Sequence, residues 1–244
     1  MAVSIKSARE IELMREAGKR LAHVHQELEA MIAPGISTWE IDAKGEKLIR
    51  DCGCIPNFLH YNGYPASICV SVNDEVVHGI PRKDRYLKEG DIVSLDAGLI
   101  YKGYHSDAAR THAVGKVSTE AQKLMDVTKQ SFFEGIKMAK EGQHLHDISR
   151  AIEEYVTPYG YGIVRDLVGH GIGTALHEDP QIPNYAQKRR GVRLQAGMTL
   201  AIEPMINAGT WQVRFLRDGW TVVTKDGSLS AHYENTILVT DGEH

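Results

Sequence analysis

The periodic segments of this chain come in a doubled order, helix, helix, then strands, and that order leaves few ways to bury the result. From Ser7 onward Ile11, Met14, Ala17, Leu21, Val24, Leu28 and Met31 recur at three- and four-residue steps, which predicts an amphipathic helix. Ser7 and Glu10 have the spacing of a capping box, and Pro34-Gly35 stops the helix. Ser37 and Glu40 repeat the cap and open a second helix running to about Asp51. Short apolar runs at 68–72 and 91–95 lead into a hairpin over 96–113 with its turn near Lys102-Gly103. After Gly115 the order restarts. Helical patterns cover about 119–140 and 145–155, the second ending before Thr157-Pro158, and strands are expected around 163–168, 199–206, 211–215, 220–224 and 237–239. No Pro/Ser-rich linker divides the chain, so the expectation is one α+β domain over residues 1–244. Its halves, about 1–115 and 116–244, would be related and packed about one central sheet.

Composition closes off other classes. Apolar residues at 42% and charged residues at 25% are ordinary globular usage, which excludes collagen, a disordered tail and a disulfide scaffold. A net charge of −4 argues against DNA or an anionic membrane held by bulk electrostatics. No window approaches eighteen apolar residues and the first residues carry charges, so neither a membrane span nor a signal peptide is expected and the cytoplasm is the expected location. Cys52, Cys54 and Cys69 are an odd set without CxxC spacing, and reduced thiols are expected. Cys52-Gly-Cys54 reads either as a redox or metal pair lacking a second pair, or as an inert pair at a helix end.

Acids and histidines fall where burial without a partner costs several kcal/mol. Asp96 sits in IVSLDAG, Asp107 in YHSDAAR, His170 in VGHGIG, Glu203 in LAIEPMI, Glu234 in AHYENTILV and His78 in EVVHGIP. Asp96 and Asp107 flank one turn, so a hairpin carries them across from each other, sharing a face if a bulge adjusts the register. Two adjacent carboxylates repel, and a shared proton or a multivalent cation relieves the repulsion. Only the cation accounts for further carboxylates on other strands. Four carboxylates carry a charge that two divalent ions cancel, and oxygen-rich donors with a single imidazole suit Mn, Fe or Co better than a closed structural zinc. The bland alternative ties each acid to its own arginine or lysine.

The stretches HYNGYPASICVSVNDEVVHGIP, DAGLIYKGYHSDAARTHAVG, VGHGIGTALHEDPQIPNY, GMTLAIEPM and HYENTILVT resemble, in order and spacing, the bacterial type I methionine aminopeptidases. The resemblance covers nearly the whole chain. It implies the pita-bread (creatinase/aminopeptidase) fold, a pseudo-twofold antiparallel sheet flanked by helices. It also implies two divalent ions, drawn from Co, Mn, Fe, Ni or Zn: Asp96 chelating one, Asp107 and Glu234 bridging both, His170 and Glu203 completing the other. By the same resemblance His78, His177 and Glu203 are catalytic, His78 and His177 bind substrate, and Tyr61, Tyr64, Cys69, Trp220 and Phe58 wall the methionine pocket. Phe58, Asn62 and Leu176 stand where some relatives carry a cysteine, a histidine and a phenylalanine. The implied activity is removal of the initiator methionine from nascent polypeptides with a small second residue, by a monomer in transient contact with the ribosome. Met1-Ala2 makes this chain's own Met1 an expected target. Asn73 and Ser230 match the neighbourhood in which relatives hold a monovalent cation through backbone carbonyls.

The other histidines carry less. His23 and His25 are two apart on a helix and point in different directions, and His144-Leu-His146 reads either as a zinc pair or, as helix-start histidines usually do, as solvated side chains. His105 shares strand parity with Asp107 and is either an orienting neighbour of a ligand or a packed core histidine. Two rival functions stay open: a prolidase or proline aminopeptidase, which generally carries an extra N-terminal domain for which this chain leaves no room before Asp96, and a binding protein that keeps the fold without catalysis.

Overall fold

The computed structural model describes residues 3–242, so the expected processing at Met1-Ala2 lies outside the described residues. Among the described residues four α-helices form where the periodicity predicts: α1 (Ala8–Glu29), α2 (Thr38–Asp51), α3 (Thr119–Ile136) and α4 (Leu145–Val156). Both predicted capping boxes are made. Ser7 Oγ accepts from the Glu10 N–H while the Glu10 carboxylate accepts the Ser7 N–H at 2.7 Å, and Ser37 with Glu40 repeats this at 2.8 Å. Caps of this kind contribute about 1 kcal/mol each. α3 ends four residues before the predicted end, because Lys140 leaves the helix to bridge Thr240.

The strands are β1 (Ile55–Pro56), β2 (Ile68–Val72), β3 (Glu75–Val77), β4 (Ile92–Tyr101), β5 (Tyr104–Ala113), β6 (Gly162–Ile163), β7 (Gly169–Gly171), β8 (Glu178–Ile182), β9 (Thr199–Ile202), β10 (Met205–Asn207), β11 (Val213–Phe215), β12 (Val222–Thr224), β13 (Ser230–His232) and β14 (Glu234–Leu238). The main sheet is antiparallel in the order β1-β4-β5-β14-β9-β7-β8, with β2 also on β4. Two small sheets, β13-β10-β6 and β11-β12-β3, complete it. α1 and α2 bury Leu21, Val24, Leu28, Ile41 and Ile49 against Val93, Leu95 and Leu99 of β4. α3 and α4 bury Leu124, Phe132, Ile148 and Ile152 against Leu200, Ile202 and Ile206. At roughly 1.5–3 kcal/mol for each buried large aliphatic side chain, these two clusters hold the helices onto the sheet.

Several expectations need correction. The β4–β5 hairpin contains no bulge: Tyr101 faces Tyr104 across a two-residue turn in which Lys102 (φ 48°) and Gly103 (φ 86°) are both left-handed. Asp96 therefore pairs with Ala109, and Asp107 with Gly98, so the two acids share a face as diagonal neighbours. The run at 163–168 is a strand only at Gly162–Ile163, since Arg165 turns out to lie 4.9 Å over Trp211 and 5.2 Å over Tyr185. The run at 199–206 breaks at Glu203-Pro204, where proline has no N–H for a ladder. β11 begins at Val213 rather than Trp211, β12 at Val222 rather than Trp220, and β14 starts at Glu234, earlier than predicted.

Candidate active site

Residues opposite one another in a sheet project from the same face, as do residues two apart on one strand. In β4, β5 and β14 this sets Asp96, Ala109 and Glu234 in one row, with Asp107 two positions along from Ala109. Ala109 contributes only a methyl group, so the carboxylates on either side lean over it. β14 pairs with β9 through Asn235 and Ile202, and continuing that register sets Glu203 against Glu234. His170 of β7 pairs with Ala201, two residues before Glu203. Five neighbouring strands thus present five donors on one face. Glycines flank His170 because the backbones close in: a Cβ at Gly169 would lie 2.4 Å from the Ala201 carbonyl oxygen, and one at Gly171 2.2 Å from that of Asp179.

The electrostatics rule out the bland alternative. Asp107 and Glu234 are buried, Asp96 and Glu203 partly so, and among the described residues no lysine or arginine pairs with any of the four. Arg110, the nearest cation, spends its N–H groups on the carbonyls of Ala109 and Glu234 and on Asn235 Oδ1. Asp96 Oδ1, Asp107 Oδ1 and Glu234 Oε1 are buried without a hydrogen-bond partner. Burial first, and mutual repulsion second, push the carboxyls of Asp107, Glu203 and Glu234 well above the usual range, and burial pushes Asp96 up as well.

Imidazoles complete the cluster. His170 Nδ1 meets the Gly171 carbonyl at 2.8 Å, which directs Nε2 to Asp107 Oδ2 at 4.0 Å and Glu203 Oε1 at 3.7 Å. Burial lowers its pKa to about 4, leaving the neutral ring a metal ion requires. His232, which the sequence reading passed over, places Nε2 3.7 Å from Glu203 Oε2 and 3.8 Å from Glu234 Oε2. The signal for it was parity, since it lies two residues before Glu234. Asp107, His170 and Glu234 form one set of donors within 4.8 Å of one another, and Asp96, His232 and Glu234 form another. Unpartnered carboxylate oxygens beside neutral imidazoles are the donor chemistry that a pair of divalent cations takes, so these residues fit such a centre.

Beside the cluster lies a cavity of about 190 Å³ whose wall includes Phe58, Tyr61, Asn62, Tyr64, Cys69, His78, Leu176, His177 and Trp220, together with Asp96, Asp107, His170, Glu203 and Glu234. At about 30 Å³ per water that is room for roughly six, the scale of one amino-acid residue. Tyr61 Oη meets His177 Nδ1 at 2.8 Å, and the His177 ring stands edge-on to His170 at 4.3 Å. Tyr64 donates to the Gly79 carbonyl at 2.9 Å and packs edge-on to Trp220 at 5.1 Å. Cys69 pairs with Asp96 across β2 and β4, and burial raises its thiol pKa. His78 adopts φ 58°, a conformation costly for a residue with a side chain, and burial followed by the nearby His177 lowers its pKa to about 4.

The remaining singled-out residues lie elsewhere. His25 is buried with Nε2 at 2.8 Å from the Ala108 carbonyl, and His23 is exposed. His144 caps α4, and His146 meets the Arg189 carbonyl. His105 is half-buried and its Nδ1 lies 3.3 Å from Asn57 Nδ2. Cys52 caps α2, with Cys54 Sγ against its carbonyl. Asn73 and Ser230 do come together, the Ser230 N–H donating to the Asn73 carbonyl at 2.9 Å. Among the described residues no helix is long and apolar enough to cross a membrane.

Known proteins agree with this geometry. The methionine aminopeptidase of Clostridium acetobutylicum is 53% identical over 239 residues, 98% of this chain and 96% of the relative. The crystal structure of methionine aminopeptidase from Thermotoga maritima superposes with a TM-score of 0.97 at 46% identity, covering 99% of this chain and 97% of that one. An Xaa-Pro dipeptidase from Bacillus anthracis follows at a TM-score of 0.79 and 26% identity, with 97% of this chain covering 59% of that one. Such neighbours share the pita-bread architecture seen here. Residues 12–241 match metallopeptidase family M24, and the chain belongs to that family.

Proposed function

We propose that this chain is a methionine aminopeptidase, a dinuclear metal-dependent exopeptidase that removes the initiator methionine from polypeptides whose second residue is small. The observation that carries the reading is the cluster of four carboxylates and His170 with no lysine or arginine partner among the described residues, opening into an aromatic-walled cavity sized for one residue. Identity favours methionine over proline chemistry, 53% to a methionine aminopeptidase against 26% to an Xaa-Pro dipeptidase. An intact set of donors counts against a binding protein that has lost catalysis. The reading takes residues 1–244 as one catalytic unit of two halves, about 1–115 and 116–244, supported by a sheet that draws site residues from both. It takes the substrate to be nascent chains met by a cytoplasmic monomer in passing contact with the ribosome.

Asp96, Asp107, His170, Glu203 and Glu234 would hold two divalent ions among Co, Mn, Fe, Ni and Zn, with Asp107 and Glu234 shared. A bound pair supplies Lewis acidity, lowering the pKa of water towards neutrality and polarising the scissile carbonyl. Glu203, on the cavity wall, takes the proton of the attacking water and hands it to the leaving amine. With the Tyr61 hydroxyl donating to His177 Nδ1, the His177 proton sits on Nε2, where it meets the developing oxyanion. His78, kept neutral by burial, bonds the scissile amide nitrogen. Phe58, Tyr61, Tyr64, Cys69 and Trp220 hold the thioether, with sulfur–aromatic contacts worth roughly 0.3–1.5 kcal/mol each. A monovalent cation near Asn73 and Ser230 belongs to the same reading, since the Asn73 carbonyl keeps a second lone pair for it.

Two assays test this. Met-Ala-Ser is expected to be cleaved after methionine in preference to any Xaa-Pro peptide, and preferential cleavage before proline overturns the assignment. His177→Ala is expected to lower kcat by about 10²–10³ through loss of one oxyanion donor, with the metal content unchanged. A fall in KM affinity alone, at full kcat, would remove His177 from that role.

A further inference from the structure

We propose that the His232 imidazole is a sixth donor to the metal centre, its Nε2 ligating the ion held by Asp96 and Glu234, so that each ion of the pair has its own histidine. The inference rests on the dinuclear reading above.

His232 is 1% exposed, and neither ring nitrogen has a hydrogen-bond partner. A ring buried so completely with both polar atoms unsatisfied needs a reason. Its Nε2 stands 3.7 Å from Glu203 Oε2 and 3.8 Å from Glu234 Oε2, beyond hydrogen-bond reach. Two donors each about 2.1 Å from one ion lie about 3–4.2 Å apart, so the separation from Glu234, the carboxylate both sets contain, fits ligands of a common cation. The two compact donor sets, Asp96 with His232 and Asp107 with His170, have only Glu234 in common. Each therefore offers its own imidazole and a share of the same glutamate.

Strand geometry aims the ring. Tyr233, between His232 and Glu234, turns to the other side, where it packs 5.3 Å from Phe132 and beneath the Arg110 guanidinium. His232 and Glu234 are thereby left on the cluster's side. His232 also borders a second cavity of about 460 Å³, walled in part by His25, Arg110, His112 and Lys129. The chemical consequence is selectivity. Imidazole suits Zn, Fe and Ni where carboxylate and water suit Mn, so a second imidazole tilts the centre away from Mn.

The test loads the full-length protein with Co(II) and counts the exchangeable imidazole N–H resonances shifted by the paramagnetic ion. Two are expected in the wild type, from His170 and His232, and one in His232→Gln. Calorimetry is expected to show that His232→Gln weakens one Co(II) or Zn(II) site by roughly tenfold or more, while Mn(II) affinity changes by less than about threefold. Two bound ions with a single shifted imidazole in the wild type overturn the inference and leave the dinuclear reading standing, with His232 only a neighbour of the centre's carboxylates. Equal losses for Co(II) and Mn(II) in His232→Gln also overturn it, since a structural defect would move both. A wild type that binds no dication sinks both.

Discussion

Chelator treatment at pH 7.5 is expected to abolish hydrolysis and to lower the thermal midpoint by about 5–10 °C, with both restored by low-micromolar Co(II), Mn(II) or Fe(II). At a free metal concentration near 100 times the Kd of the tighter site and below that of the weaker one, binding to the folded state alone contributes about 2.7 kcal/mol, and a chain of this length loses about 2–4 °C per kcal/mol. The metal-free protein should carry a distinctive pH dependence. Asp96, Asp107, Glu203 and Glu234 have raised pKa values, so the metal-free folded state holds protons that the unfolded chain has released. Its stability therefore falls as pH rises through that range. The buried histidines act the other way: His78 and His170, lowered to about 4, and His232, lowered to about 3, favour the folded state as pH rises, an effect that fades between pH 6.5 and about 7.5 as the unfolded histidine loses the rest of its proton. Above about pH 7.5 the carboxylates act alone. Scanning calorimetry from pH 7.5 to about 8.5 should find the metal-free midpoint falling and the loaded one flat; a metal-free midpoint that rises with pH would contradict the assigned cluster.

Glu234→Gln should separate stability from function. Both donor sets use this carboxylate, so the substitution is expected to take metal content from two ions to none and to lower kcat/KM by at least about 10³-fold, about 4 kcal/mol of transition-state stabilisation. Asp96→Asn, which touches one set only, should leave one ion bound. In the metal-free state the order reverses. Removing one of four mutually repelling buried carboxylates should raise the Glu234→Gln midpoint above that of metal-free wild type, an active-site residue being kept at the expense of stability. Metal analysis and calorimetry on the same samples decide it, and a metal-free variant less stable than metal-free wild type would place Glu234 in a structural role.

The donors were legible in the sequence for the reason that makes them functional. An acid inside an apolar strand is expensive, so Asp96 in IVSLDAG and Glu203 in LAIEPMI stand out. The helices were legible because Ser7 with Glu10 and Ser37 with Glu40 announce their starts. Register was not: the two-residue turn at Lys102-Gly103 replaces the expected bulge, and only the left-handed pair of residues decides it. β8 was invisible because Glu178–Ile182 contains an acidic pair and a proline, which an edge strand tolerates and a central one does not. His232 escaped because a histidine draws less notice than an acid, and the break at Tyr233 hides that it shares a face with Glu234.

The row formed by Asp96, Ala109 and Glu234, extended by Glu203 and His170, draws on strands far apart along the chain. A half-folded intermediate, or a chain still being synthesised, owns some of these groups and never the full constellation. On the proposed reading, peptide-bond cleavage therefore waits until strands from both halves of the chain have come together in one sheet.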